Sequence, residues 1–382
     1  MSNKEKLYKS FAKLFFALIG KDDTIQQADA RQIEEKLIKH KWRGNVPWAF
    51  NAHTERNENM DEVFDKLIKN CEKNGADREY EFFIFILKNV VESSKDKTLA
   101  TDILQKFKAE RKRINREYAK PPNLLNVLLE GRLLLEWPSM ALMYNFLPKR
   151  IEGKNHPVLL LPPFLWTDSV NVFIRKYLSK QGFTTYKWEL GINLIRAHNI
   201  PPLEQKLDAL FKKHKEKISL VGWSGGGILG KVLANRHPDK VAQLITIGTP
   251  IWGLEDMKTF AGIVHQRLGG NPAPKVKNEA FYEELHAIPD VPVTCIYTKT
   301  DGIVPWKHCL EAASLRPDIQ NIEVYGSHNG LGANVTVLLA VAQALHQNLN
   351  GKEVREIPEH IERVFYPAYW KNRFMSKKKS GN

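Results

Sequence analysis

Ile218-Ser219-Leu220-Val221-Gly222-Trp223-Ser224-Gly225-Gly226-Gly227, continued by Ile228, Leu229 and Gly230, is the stretch whose reading decides the fold. Ile218 to Val221 form a short apolar run of the kind that makes a buried strand, and Gly226 to Arg236 is compatible with a helix. The residues between them must turn tightly, with Ser224 at the apex in strained backbone geometry and its hydroxyl exposed for nucleophilic attack. Side chains two residues to either side of the serine would collide with the strand and the helix, which explains Gly222 and Gly226. The bare spacing can arise by chance, so its context has to carry the reading.

That context extends from about residue 156 to 348. Apolar runs at Val158 to Leu161, Phe183 to Trp188, Ile218 to Val221, Val241 to Ile247, Val291 to Tyr297 and Ile322 to Tyr325 read as strands. Helical stretches fall among them at Ser169 to Gln181, Leu203 to His214, Gly226 to Arg236, Pro305 to Ala313 and Ala333 to Asn348. Strands alternating with helices predict an α/β fold, a mostly parallel sheet with helices on both faces.

A serine hydroxyl becomes a nucleophile at neutral pH only when a base takes its proton and a carboxylate orients that base. In a sheet of this kind the partners follow in the order Ser, Asp or Glu, His, each just beyond a strand. Asp301 follows the strand Val291 to Tyr297, in Thr298-Lys299-Thr300-Asp301-Gly302-Ile303-Val304-Pro305, and His328 follows Ile322 to Tyr325, in Tyr325-Gly326-Ser327-His328-Asn329-Gly330. Alone, Asp301 reads equally as a turn residue before Gly302, and His328 as a loop histidine. Together with Ser224, in the required order, they form a catalytic set. Asp290 precedes its strand, His308 falls in the helical stretch, and His265 and His286 lie between elements, so these compete poorly.

With these motifs in place, residues 156 to 348 resemble an α/β-hydrolase of the serine esterase and lipase type. Gly222-Trp223-Ser224-Gly225-Gly226, Ile247-Gly248-Thr249-Pro250, the Asp301 segment and Gly326-Ser327-His328 carry the resemblance. It implies that Ser224 attacks an acyl carbonyl, that His328 serves as general base and then general acid, and that Asp301 holds the imidazole. No metal or cofactor is implied. Gly225 would give one oxyanion-hole N–H. The second would come from the loop after Val158 to Leu161, where many relatives carry His-Gly and this chain carries Pro162-Pro163-Phe164. Proline has no N–H, so the donor would be Phe164. The Pro-Pro turn and Asp301-Gly302-Ile303-Val304-Pro305-Trp306 are also similar to polyhydroxyalkanoate synthases, which use cysteine where this chain has Ser224. Acyl transfer to an alcohol or thiol is the alternative chemistry, and a weakly active scaffold or binding protein is the alternative class.

In the family, insertions between the fourth and fifth of these strands form lids over the site. Here residues 250 to 290 carry Trp252, Phe260, Leu268 and Phe281. An apolar lid fits an acyl or lipid ester better than a sugar or a peptide, although the same residues would also pack a small helical hairpin.

Residues 1 to 120 read as a helical domain of unknown role and unknown protein partner. Apolar residues recur at helical spacing at Phe11, Leu14 and Leu18, after a cap at Asn59, in Arg78 to Glu92, and in Thr98 to about Tyr118. Trp42 to Glu58 reads as a loop. Pro121-Pro122 marks a boundary, and residues 121 to 155 read as an apolar connecting segment.

The formal charge is +14, but residues 1 to 150 hold 28 basic against 22 acidic residues and the remainder 29 against 21, so the excess is dispersed and has no nucleic-acid footprint. The extension 349 to 382 ends in Lys377-Lys378-Lys379 among aromatics, which is compatible with peripheral contact at an anionic membrane, although basic tails are commonly solvated. Three cysteines, Cys71, Cys295 and Cys309, an odd and sparse set with no metal-ligand spacing, together with the lack of a signal-peptide pattern, lead to an expectation of a cytoplasmic location, peripheral to a membrane if the tail binds one.

Overall fold

The computed structural model describes residues 59–74, 79–93, 97–118, 120–149, 151–252, 284–311 and 318–350, with a few isolated positions besides. The expected loop 42 to 58, residues 253–283 of the expected lid and the basic tail lie outside these residues.

Two compact units emerge, one of residues 1–117 with 312–317 and the other of 118–311 with 318–382. In the first, α1 (Met60–Asn74), α2 (Glu79–Ser93) and α3 (Thr98–Tyr118) are amphipathic helices. Asn59 caps α1 as expected, its Oδ1 accepting the Asp61 N–H at 3.0 Å, which satisfies one of the amide groups left unpaired at a helix start. The apolar stripes meet in an aromatic core: Phe11 stacks on Phe83 at 4.1 Å, and Phe107 stands edge-on to Phe64 at 5.1 Å.

The second unit opens with two helices, α4 (Leu124–Leu129) and α5 (Leu133–Met143), joined by a 3₁₀ turn. Six parallel strands follow: β1 (Pro157–Leu161), β2 (Thr184–Tyr186), β3 (Ile218–Trp223), β4 (Val241–Ile247), β5 (Val293–Tyr297) and β6 (Ile319–Glu323). Their order across the sheet is β2-β1-β3-β4-β5-β6, and every pairing is parallel. The intervening helices are α6 (Val172–Lys180), α7 (Ile200–His214), α8 (Gly225–Arg236) and α9 (Val335–Asn350).

Alternation along the strands separates the two faces. Val158, Leu160, Val221, Trp223, Ile245 and Ile247 join Ile174 and Tyr177 of α6 and the buried side of α9 in one core. On the other face, α8 lies so close that a Cβ on Gly230 would touch Leu161 and Leu244. With helices on both faces, the central strands β1, β3, β4 and β5 are almost wholly buried and read as near-continuous apolar runs.

Four elements differ from expectation. The helix expected over Pro305 to Ala313 is only a 3₁₀ turn, Trp306–Cys309. Asn321 explains why, since its side-chain amide bonds both backbone groups of Glu311, at 2.9 and 2.8 Å, and holds the chain extended there. β6 starts at Ile319, three residues early, because its polar residues Gln320 and Asn321 pair with β5 despite lacking an apolar signal. β2 ends at Tyr186, where Asp168 takes the Trp188 and Glu189 N–H groups out of the ladder. The segment after Pro121-Pro122 is helical and does more than connect, as its polar side chains show.

Candidate active site

The turn after β3 has the strain its sequence implies. Ser224 sits at φ 49°, ψ −119°, a conformation that costs about 1–3 kcal/mol for a residue with a side chain. Two backbone bonds hold it, Ser224 N–H to Ile247 O at 2.7 Å and Gly227 N–H to Ser224 O at 3.0 Å. A Cβ on Gly222 would overlap Gly227 of α8, and one on Gly226 would overlap the carbonyl oxygens of Leu161 and Pro162 at the end of β1. The two glycines are thus needed for close approach to helix and strand respectively.

Asp301 and His328 stand on the loops after β5 and β6, both buried. His328 Nδ1 is 2.7 Å from Asp301 Oδ2, and His328 Nε2 is 3.0 Å from Ser224 Oγ. A carboxylate only accepts, so Nδ1 carries the proton and Nε2 is left to accept from the serine hydroxyl. Asp301 is fixed through its other oxygen, which accepts the Ile303 and Val304 N–H groups at 2.8 and 2.7 Å. Burial alone would push the imidazole down, yet the Asp301 charge and hydrogen bond, with the charge of Glu130, hold it above its ordinary value. Gly248, at φ 54°, backs the ring: a Cβ there would come within 3.2 Å of His328 Nδ1.

Parallel strands in this order, a strained serine on the β3–α8 turn, an aspartate after β5 and a histidine after β6 decide the architecture. The chain has the α/β-hydrolase fold.

Within this hydrolase fold the loop after β1 reaches the serine as expected. Phe164 N lies 3.2 Å from where a Cβ of Gly225 would stand, so the two expected donors are neighbours. Buried Asn193 pins the loop, its Nδ2 donating to Pro162 O at 2.6 Å while its backbone exchanges bonds with Leu165 and Trp166. Of the competing histidines, His286 lies by Trp252, bonded to its carbonyl at 2.9 Å, and His308 is in the 3₁₀ turn; His265 is outside the described residues.

The largest omission from the sequence reading is the α4–α5 segment. Glu130 Oε1 accepts Gly302 N–H at 2.9 Å and His328 N–H at 2.8 Å, while its Oε2 accepts Asn329 N–H at 3.2 Å. Glu136 accepts the Ser327 N–H at 3.0 Å and also its hydroxyl. Arg132 donates to Thr300 O at 3.3 Å, and Asn126 Nδ2 to Lys299 O at 3.1 Å. The loops bearing the acid and the base are therefore anchored from nearly two hundred residues upstream. One available signal was two carboxylates six residues apart in an otherwise leucine-rich run.

A cavity of about 420 Å³ is lined by Leu133, Trp137, Trp166, Ser169, Val170, Trp223 and Asn329. Trp223 and Asn329 directly precede Ser224 and follow His328. Among the described residues no cluster of His, Cys, Asp or Glu is suited to a metal ion, and no helix is long and apolar enough to cross a membrane.

No family model matches the chain. A segment of 49 residues is 47% identical to the pimeloyl-[acyl-carrier protein] methyl ester esterase of Aromatoleum aromaticum, covering 13% of this chain and 20% of that protein. A segment of 61 residues is 41% identical to the biotin biosynthesis bifunctional protein BioHC of Teredinibacter turnerae, covering 16% and 11%. The chain thus spans a fifth or less of the length of these curated relatives. Among solved structures, mouse alpha/beta hydrolase domain-containing protein 10 superposes with a TM-score of 0.37 at 22% identity, over 53% of this chain and 96% of that one. The monoacylglycerol lipase of Paleococcus ferrophilus gives 0.37 at 14%, over 52% and 96%. Strand order and the elbow, rather than these superpositions, carry the fold.

Proposed function

We propose that this chain is a serine hydrolase that cleaves carboxylic esters through an acyl-enzyme on Ser224. The observation that carries the reading is the continuous line from Ser224 Oγ through the His328 imidazole to Asp301, with spacings of 3.0 and 2.7 Å. His328 Nε2 takes the hydroxyl proton as Oγ attacks the acyl carbonyl, and Asp301 stabilises the imidazolium that forms. In this reading the backbone N–H groups of Gly225 and Phe164 are the donors to the developing oxyanion. His328 then gives its proton to the leaving alcohol. Water, deprotonated by the same nitrogen, attacks the acyl-enzyme and releases the acid and the free serine.

The esterase named among the curated relatives agrees with this class, and the tryptophan- and leucine-lined cavity favours an apolar acyl group. Ser224 in place of cysteine favours hydrolysis over polymer synthesis.

A fluorophosphonate probe tests the reading. Wild-type protein is expected to label and to hydrolyse short p-nitrophenyl esters. Ser224→Ala should lose the label and about 10⁶-fold in turnover, the order of loss when such a serine is removed. Wild-type protein that neither labels nor turns over would overturn the assignment in favour of a scaffold. Product analysis with an added alcohol separates hydrolysis from acyl transfer.

A further inference from the structure

The α4–α5 segment has a second face that the catalytic reading does not use. Leu124, Leu128, Leu134, Leu135, Leu142 and Phe146 are each between 69% and 81% exposed. Residues 121–148 contain only three charged side chains, Glu130, Arg132 and Glu136, and each is spent on the loops beneath or on the segment's own backbone. The outward face is therefore aliphatic and carries no charge. Exposed cations flank it, Lys120 before α4 and Lys149 after α5. Trp166, half exposed, stands at the rim, and with Leu133 it lines the cavity that ends at Trp223 and Asn329.

From this pattern we infer that the α4–α5 segment docks on an anionic lipid surface, its leucines entering the acyl boundary while Lys120 and Lys149 meet the headgroups. Three observations choose lipid over a protein partner. A protein interface of this size brings polar groups and hydrogen bonds to its rim, whereas this face is nearly all hydrocarbon. A hydrocarbon face with cations at its ends and a tryptophan at its edge is the arrangement that partitions into a membrane interface. The exposed surface also continues, through Leu133 and Trp166, into a cavity lined by Trp223 and Asn329, the chain neighbours of Ser224 and His328, a path suited to an ester drawn from a bilayer. That last point rests on the hydrolase reading. The docking itself does not.

Vesicle flotation of the full chain tests the inference without measuring catalysis. Wild-type protein is expected to float with vesicles of phosphatidylcholine containing phosphatidylglycerol and to float less with phosphatidylcholine alone. The combined variant Leu134→Gln, Leu135→Gln, Leu142→Gln and Phe146→Gln should bind roughly tenfold or more weakly, since even one buried leucine is worth about that in partition. A thermal melt should be unchanged, these side chains being exposed. Lys120→Glu with Lys149→Glu should abolish the preference for anionic vesicles while leaving the weaker binding. The inference fails if wild type floats with neither vesicle, or if the leucine variant floats as wild type does. It fails equally if wild type is a dimer that the variant turns into monomers, because a second copy would then cover the face.

Discussion

The serine turn and the α4–α5 segment serve the same site and differ in how their roles are encoded. The turn is specified within five residues: strain at Ser224 and close approach at Gly222 and Gly226 leave a local pattern. The α4–α5 segment acts through Glu130, whose partners Gly302, His328 and Asn329 lie 172 to 199 residues away. A steric constraint writes itself beside the residue it serves. A hydrogen bond across the fold leaves only an acid in a greasy stretch.

The contrast can be broken at either end. Gly226→Ala should have the larger effect, because its Cβ meets carbonyl oxygens at the end of β1 that cannot rotate away. About 1–3 kcal/mol of stability and roughly 100-fold in fluorophosphonate labelling are the expected losses. Labelling at the wild-type rate would mean that the turn tolerates a side chain and the local reading is wrong.

Glu130 comes next. Glu130→Ala leaves three backbone N–H groups without their acceptor, which should cost about 1–3 kcal/mol in a denaturant melt and roughly 10- to 100-fold in kcat/KM. Glu130→Gln keeps an acceptor and removes the charge, so it isolates the electrostatic part. His328 acts as a base only when neutral, and its pKa is raised, so activity should fall with decreasing pH already above the ordinary histidine value. Removing the Glu130 charge lowers that pKa, and the acid limb of kcat/KM should move to lower pH. An unmoved limb would reduce Glu130 to a purely structural support. The smallest effect belongs to Glu136→Gln, whose carboxylate bonds Ser327 and not a triad residue and which should change kcat/KM by no more than a few-fold.

Strand number, the parallel sense of the sheet and the grouping of Ser224, Asp301 and His328 were legible because each rests on a run or turn whose pattern is local. The helix limits Thr98–Tyr118 and the cap at Asn59 were legible for the same reason. Where the reading failed, a distant partner had intervened. Asn321 straightened the chain at Glu311, and the buried Glu311 carboxylate is drawn to Lys231 of α8 at 2.5 Å, a pairing that helix propensity cannot register. Asn193 stayed invisible because nothing beside it marks the loop it pins.

One oxygen, Glu130 Oε1, receives both the Gly302 and the His328 amides. The loops carrying acid and base therefore share one acceptor, beside the separate anchors from Asn126, Arg132 and Glu136. The serine hangs from a different support, the β3–α8 turn. The two junctions of the proton line thus differ in support: Asp301 and His328 hang from a common carboxylate, whereas His328 and Ser224 meet across separately held elements.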